Sequence, residues 1–189
     1  MTAYSIILFF HVGSALVLAA GLGVEWMLLM RLQRATSARE AEPWLVTWKK
    51  VPWVASLSLL VLLVTGGYLA GVLAQWPLAW PKAALVALVL IGAFGGVMSK
   101  RMRLARKACS AGTDAECLQR LRHPLLKISV NTKIALLFAA VLLMTATPGL
   151  YTSSVIVAAG VLLGFLASMI GASQRAAQRT LKAERKSEM

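Results

Sequence analysis

Charge is scarce in this sequence. Only 14% of the 189 residues are Asp, Glu, Lys or Arg, against roughly a quarter in a soluble globular domain. Two cysteines and two histidines are too few for a disulfide framework or for a zinc module built from paired C-x-x-C units. No phosphate-binding glycine loop and no HExxH stretch occurs, which sets aside the commonest nucleotide and zinc-protease chemistries. Acids are rarer still, seven against twenty bases, for a net charge of +13. A disordered chain is excluded from the other direction, because 59% of the residues are hydrophobic and mean hydropathy is +0.73.

What is present is a set of long uncharged runs: residues 1–24, 51–81, 83–99 and 134–174 contain no Asp, Glu, Lys or Arg. A helix needs about 20 apolar residues to cross a bilayer. The runs predict spans at 4–30, 51–74 and 80–106, and the break at Thr147-Pro148-Gly149 divides the last run into spans at 124–146 and 150–174. The expected fold is all-α: one domain over 1–189, a polytopic helical membrane bundle with five transmembrane helices and a basic tail at 175–189. No internal repeat or lipidation motif is visible. The first run lacks a basic n-region and is longer than a signal-peptide core, so it reads as part of the mature protein.

The basic residues orient the bundle. Five of the twenty lie in 31–50, nine in 100–133 and five after 174, which leaves only Lys82 elsewhere. By the positive-inside rule these three segments are cytoplasmic, the N-terminus is outside and the C-terminus is cytoplasmic. The location this implies is a bacterial inner membrane, crossed several times. Placed between apolar spans, the positive charge meets anionic lipid headgroups and gives no case for nucleic acid. Trp76 and Trp80 fall at the expected outer interface, and Trp44, Trp48 and Trp53 at the inner one. Ser37-x-x-Glu40 and Thr113-x-x-Glu116 predict capped short helices in the basic loops, the first laying Trp44 and Trp48 on the membrane. Cys109 and Cys117, in a cytoplasmic loop, are expected as free thiols. Gly21 and Gly23 are expected to let helices approach closely.

Chemistry is concentrated in few residues. His11 lies two turns into an apolar helix, where ionisable groups are costly and tend to face the bundle interior. With Ser14, Leu18, Gly21 and Glu25 it recurs at helical spacing on one face. His11 is either a haem or metal ligand, a proton carrier, or a neutral histidine hydrogen-bonded between helices. Glu25, about 21 Å further along the axis at 1.5 Å per residue, is the sole acid within a span and matches Lys133, and also Lys100, in depth. A structural ion pair of Glu25 with Lys133 is expected, with a proton relay as the alternative. His123 lies at the opposite membrane face from His11, so the two cannot share one haem. Met27, Met30, Met98 and Met102 suit Cu(I) or plain packing.

Four local patterns, Phe10-His11-Val12-Gly13, the Leu62–Leu69 stretch LLVTGGYL, Trp80-Pro81-Lys82 and Leu143-Met144 with Pro148, together resemble the small CopD-like and HemJ-like bacterial membrane proteins over residues 6–150. The resemblance implies haem b bound by His11 with Lys82 as a second functional position, as in HemJ-type protoporphyrinogen oxidases. Its CopD-like side implies copper uptake. The chain departs from the HemJ pattern after the first histidine, reading Val24-Glu25-Trp26-Met27, and has a fifth helix and a basic tail. Three functional readings follow. The first is a haem protein in membrane redox or haem chemistry with a membrane redox partner. The others are a transporter of copper or a small molecule along the His11–Glu25 face, and a non-catalytic assembly subunit, with homo-oligomerisation open in each.

Overall fold

A computed structural model describes residues 3–111 and 113–187, with side-chain surroundings as far as residue 169. Its elements in order are α1 (Ala3–Arg34), α2 (Ala38–Trp48), α3 (Val51–Val72), α4 (Ala79–Ala111), α5 (Asp114–Leu121), α6 (Pro124–Ala146) and α7 (Leu150–Ser187), with no strand among the described residues. Five of the helical stretches are long and apolar enough to cross a membrane. The chain is thus an all-α protein compatible with five crossings. Helix α6 has the predicted bounds, whereas α1 and α4 run several residues further toward the basic end. Helix α7 continues through the segment expected as a tail.

Burial shows which helix is central. Half of the apolar window ending in α6 is buried, against 17–28% for the other four. Helix α6 packs on α4 and α7, and α1 packs on α3. Without water, polar side chains in such a bundle must find partners on neighbouring helices. Three alternate residues of α6 do so in three directions: Ser129 Oγ donates to the Phe94 carbonyl of α4 (2.8 Å), Asn131 Nδ2 to Ser168 Oγ of α7 (3.1 Å), and Lys133 Nζ to Glu25 of α1. Close approach of α7 requires Gly164, where a Cβ would stand 2.7 Å from the Thr132 amide nitrogen. Gly21 and Gly23 play no such part, since a Cβ on either would meet nothing within 4 Å.

The basic ends of the helices are closed by a layer of short elements. Ser37 and Thr113 cap α2 and α5 by accepting from the Glu40 and Glu116 amides (3.3 and 3.4 Å). The reciprocal halves of the predicted boxes do not form. Glu40 instead accepts from the amide and hydroxyl of Thr36, and Glu116 pairs with Arg120 at 3.0 Å. Ala38 N–H donates to Asp114 (3.2 Å) and Arg122 to the Ala35 carbonyl (3.3 Å), which tie the two loops together. Two expectations are corrected here. Trp48 is buried among Leu28, Leu45 and Met102, and Trp44, partly buried, lies under the Arg31 guanidinium at 5.5 Å, so both pack on the protein rather than on the membrane. Cys109 and Cys117 are joined in a disulfide, because α5 folds back along the last turn of α4.

Candidate functional site

The face of α1 bearing His11, Ser14, Leu18 and Glu25 turns into the bundle: Leu18 and Glu25 are buried, and His11 and Ser14 are half-buried. It meets two distinct sites. Toward the basic end, Glu25 and Lys133 form an ion pair whose side chains are 6% and 3% exposed. A cavity of about 190 Å³ lies beside the pair, lined also by Ser56, Gly95, Gly96 and Ser99. Lys100, the other lysine considered for Glu25, is exposed, whereas Lys133 makes the bond from the central helix α6, on which α1 packs.

His11 occupies the other end. Its Nδ1 lies 2.9 Å from Thr65 Oγ1 on α3. The single hydroxyl proton of Thr65 is directed at the Val61 carbonyl, 2.6 Å away, so Thr65 accepts from His11 Nδ1–H. This network assigns the tautomer and leaves Nε2 as the unprotonated nitrogen. The imidazole can come so close because residue 66 is glycine: a Cβ there would stand 3.0 Å from His11 Cε1.

Beside His11 is a cavity of about 240 Å³ between α1, α3, α4 and α6, lined mostly by apolar side chains including Leu62, Leu69, Ala84 and Leu88. Its cover is built by the end of α3. Ala74 adopts a left-handed conformation (φ 51°), with Gln75 N–H bonded to the Ala70 carbonyl (2.9 Å) and Ala74 N–H to that of Gly71 (3.1 Å). This is the double bond of a Schellman stop, with alanine at the position glycine usually takes. The reversal brings Trp76 over Gly67 and Gly71, where its Nε1 lies 3.6 Å from the position of a Cβ on Gly71. Trp80, in the first turn of α4, also lines the cavity, and its indole Nε1 is buried without a hydrogen-bond partner. Tyr4, Leu8, Leu73 and Leu85 among the lining residues are exposed, so the cavity opens on the lipid-facing surface.

The site thus joins His11 to Thr65, Gly66 and Met144, to which sequence reasoning gave no role, and to Trp80, which it placed only at the outer interface. Thr65 and Gly66 stood in the quoted LLVTGGYL stretch, and their adjacency was the available signal. Lys82 is exposed and does not line the cavity, and neither does Tyr68. Met98 and Met102 are packed in the core at the basic end, and His123 caps α6 there by accepting from the Leu125 amide (3.3 Å). Among the described residues no three His, Cys, Asp or Glu side chains cluster as metal ligands.

A haem does not fit this cavity as it stands. Its volume lies below the ~300–1,000 Å³ of pockets for drug-sized ligands, and the lysine that would meet a propionate lies outside it.

Substitutions at each site, each with a control, test this geometry. Glu25→Gln leaves the Lys133 ammonium without its counter-charge and is expected to cost about 3–5 kcal/mol in detergent unfolding, whereas Glu25→Leu with Lys133→Leu should fall within about 1 kcal/mol of wild type. Gly66→Ala must shift the His11 ring by a few tenths of an ångström against its bond to Thr65 and should cost about 1–3 kcal/mol. Gly67→Ala, whose Cβ would only touch the Trp76 ring at 4.0 Å, is the control expected to melt close to wild type.

No family model, curated protein or solved structure matches the chain.

Proposed function

We propose that this chain is a multi-pass inner-membrane protein that binds a small, bilayer-soluble ligand in the His11 cavity and serves membrane redox chemistry. The observation that carries the reading is an apolar cavity of about 240 Å³ that has the half-buried His11 in its wall and opens between exposed apolar side chains. The access route fits a ligand carried in the bilayer, because the exposed liners are leucines, a tyrosine and Trp76.

A second reading has one observation in its favour. Met144 lines the same cavity as His11, and an imidazole nitrogen with a thioether suits Cu(I). In either case the opposite, basic end faces the cytoplasm and its loops meet anionic headgroups. Arg39, Lys49, Arg106 and Lys107 line an open groove there. This orientation places the Cys109–Cys117 disulfide on the side where thiols are normally kept reduced.

The deciding experiment uses the purified full chain, wild type and Ala84→Phe, the latter filling the cavity from a buried wall position. Solvent extraction and mass spectrometry should recover a small organic ligand from wild type that is absent from Ala84→Phe. Equal recovery from both overturns the reading. An absorption spectrum before and after dithionite runs alongside, with metal analysis. A Soret band lost in His11→Ala would replace the proposal with haem, and copper lost in Met144→Ala would replace it with the second reading. For orientation, a cysteine introduced at Gly149 should react in whole cells with a maleimide that cannot cross the inner membrane; labelling only after that membrane is opened reverses the assignment.

A further inference from the structure

The disulfide stands at odds with its surroundings. On the orientation given above, on which this inference rests, the Cys109–Cys117 bond faces the cytoplasm. Thiols there are kept reduced, and the disulfides that do occur are transient, catalytic or redox-sensing. Two features of the site fit a bond that opens and closes. Cys117 is fully buried, which leaves Cys109, partly exposed and in the wall of the open groove beside α2, as the sulfur that a thiol can reach. The four bases of that groove, Arg39, Lys49, Arg106 and Lys107, outnumber its acids, Glu42 and Asp114, and draw in an anionic thiolate. The second feature is what the bond holds. Helix α5 has eight residues, too few to persist without tertiary support. It nevertheless anchors the α1–α2 connection, since Asp114 accepts from the Ala38 N–H and Arg122 donates to the Ala35 carbonyl, while Cys117 and Leu121 sit in the core at the basic end.

We propose that Cys109 and Cys117 are a reversible thiol–disulfide pair that exchanges with small cytoplasmic thiols and, when oxidised, latches α5 onto the end of α4. In reduction, the thiolate of a small thiol attacks the Cys109 sulfur, the S–S bond breaks, and Cys117 leaves as a thiolate that takes up a proton. A second small thiol attacks the mixed disulfide and releases Cys109 as the second thiol. The two small thiols give up two electrons and two protons and become a disulfide, and the cysteine pair gains them. When that disulfide is in excess, the same steps run backward. Once the bond opens, α5 is held by its two hydrogen bonds to the α1–α2 connection and by its buried side chains alone, and the layer closing the basic end loosens.

The test equilibrates the detergent-solubilised full chain, under native conditions, in glutathione buffers from fully reduced to fully oxidised. Acid quenching and alkylation with a maleimide–polyethylene glycol then add mass to free thiols. The chain should pass from two labels in the reduced buffers to none in the oxidised ones, both cysteines changing together. Trypsin cleavage after Arg120 and Arg122, read by mass spectrometry, should be about 10- to 100-fold faster in the reduced form, the range that one disulfide closing a short loop supplies. The double variant Cys109→Ala with Cys117→Ala should be cut at the fast rate in every buffer. A chain that stays unlabelled in the most reducing buffer is permanently cross-linked, and one that stays labelled in the most oxidising buffer never forms the bond; either result, or equal cleavage of the two forms, overturns the proposal. If the pair fails while Gly149→Cys is labelled in whole cells, the exchange is wrong and the orientation stands. If Gly149→Cys is labelled only after the inner membrane is opened, the orientation falls and the proposal with it.

Discussion

An ammonium and a carboxylate buried in an apolar bundle must be together, and most of the architecture is arranged around that requirement. Neither Lys133 nor Glu25 can stay charged alone at this depth without a large desolvation penalty. Their bond therefore holds α1 to α6 in one axial register. Helix α6 then distributes the remaining polar contacts, Ser129 to α4 and Asn131 to α7. Because these three residues alternate along barely more than one turn, α6 is committed to neighbours on several sides and becomes the most buried span. In a bilayer, where apolar helix faces gain little by leaving lipid for protein, such directional contacts and close small-residue crossings such as Gly164 on Thr132 set the packing.

With α1 placed by that pair, the His11 end is determined by what α3 offers. The back-bonded Thr65 hydroxyl has only acceptor capacity left, which orients the imidazole and assigns its proton. Gly66 supplies room for the ring, and the left-handed Ala74 folds Trp76 over the cavity. Leu18, Leu62 and Leu88 belong to a buried apolar cluster that α1, α3, α4 and α6 share beside it.

The basic end has a different physics. There α2 and α5 lie across the helix termini and are capped, bonded to each other and cross-linked to α4 through Cys109–Cys117. Closing a loop of this length by a disulfide stabilises by roughly 2–3 kcal/mol. Turning Trp44 and Trp48 inward buries two large aromatic surfaces that a membrane-surface helix would have left to lipid.

The sequence by itself determined the number of spans, their limits to within a few residues except at the end of α7, the helix caps at Ser37 and Thr113 and the turn at Thr147-Pro148-Gly149. All of these depend on local hydropathy, charge and backbone chemistry. It also singled out His11, Glu25 and Lys133, since a polar side chain in an apolar run is conspicuous without any partner in view. Only the tertiary structure decided what those residues touch: Lys133 rather than Lys100 for Glu25, Thr65 for His11, Trp80 in the cavity wall and Lys82 outside it. Pairing between helices depends on rotation and crossing of neighbours that are far apart in the chain, and hydropathy carries no record of either. The disulfide and the inward tryptophans were hidden for the same reason, because each needed two short helices to fold back onto the ends of longer ones.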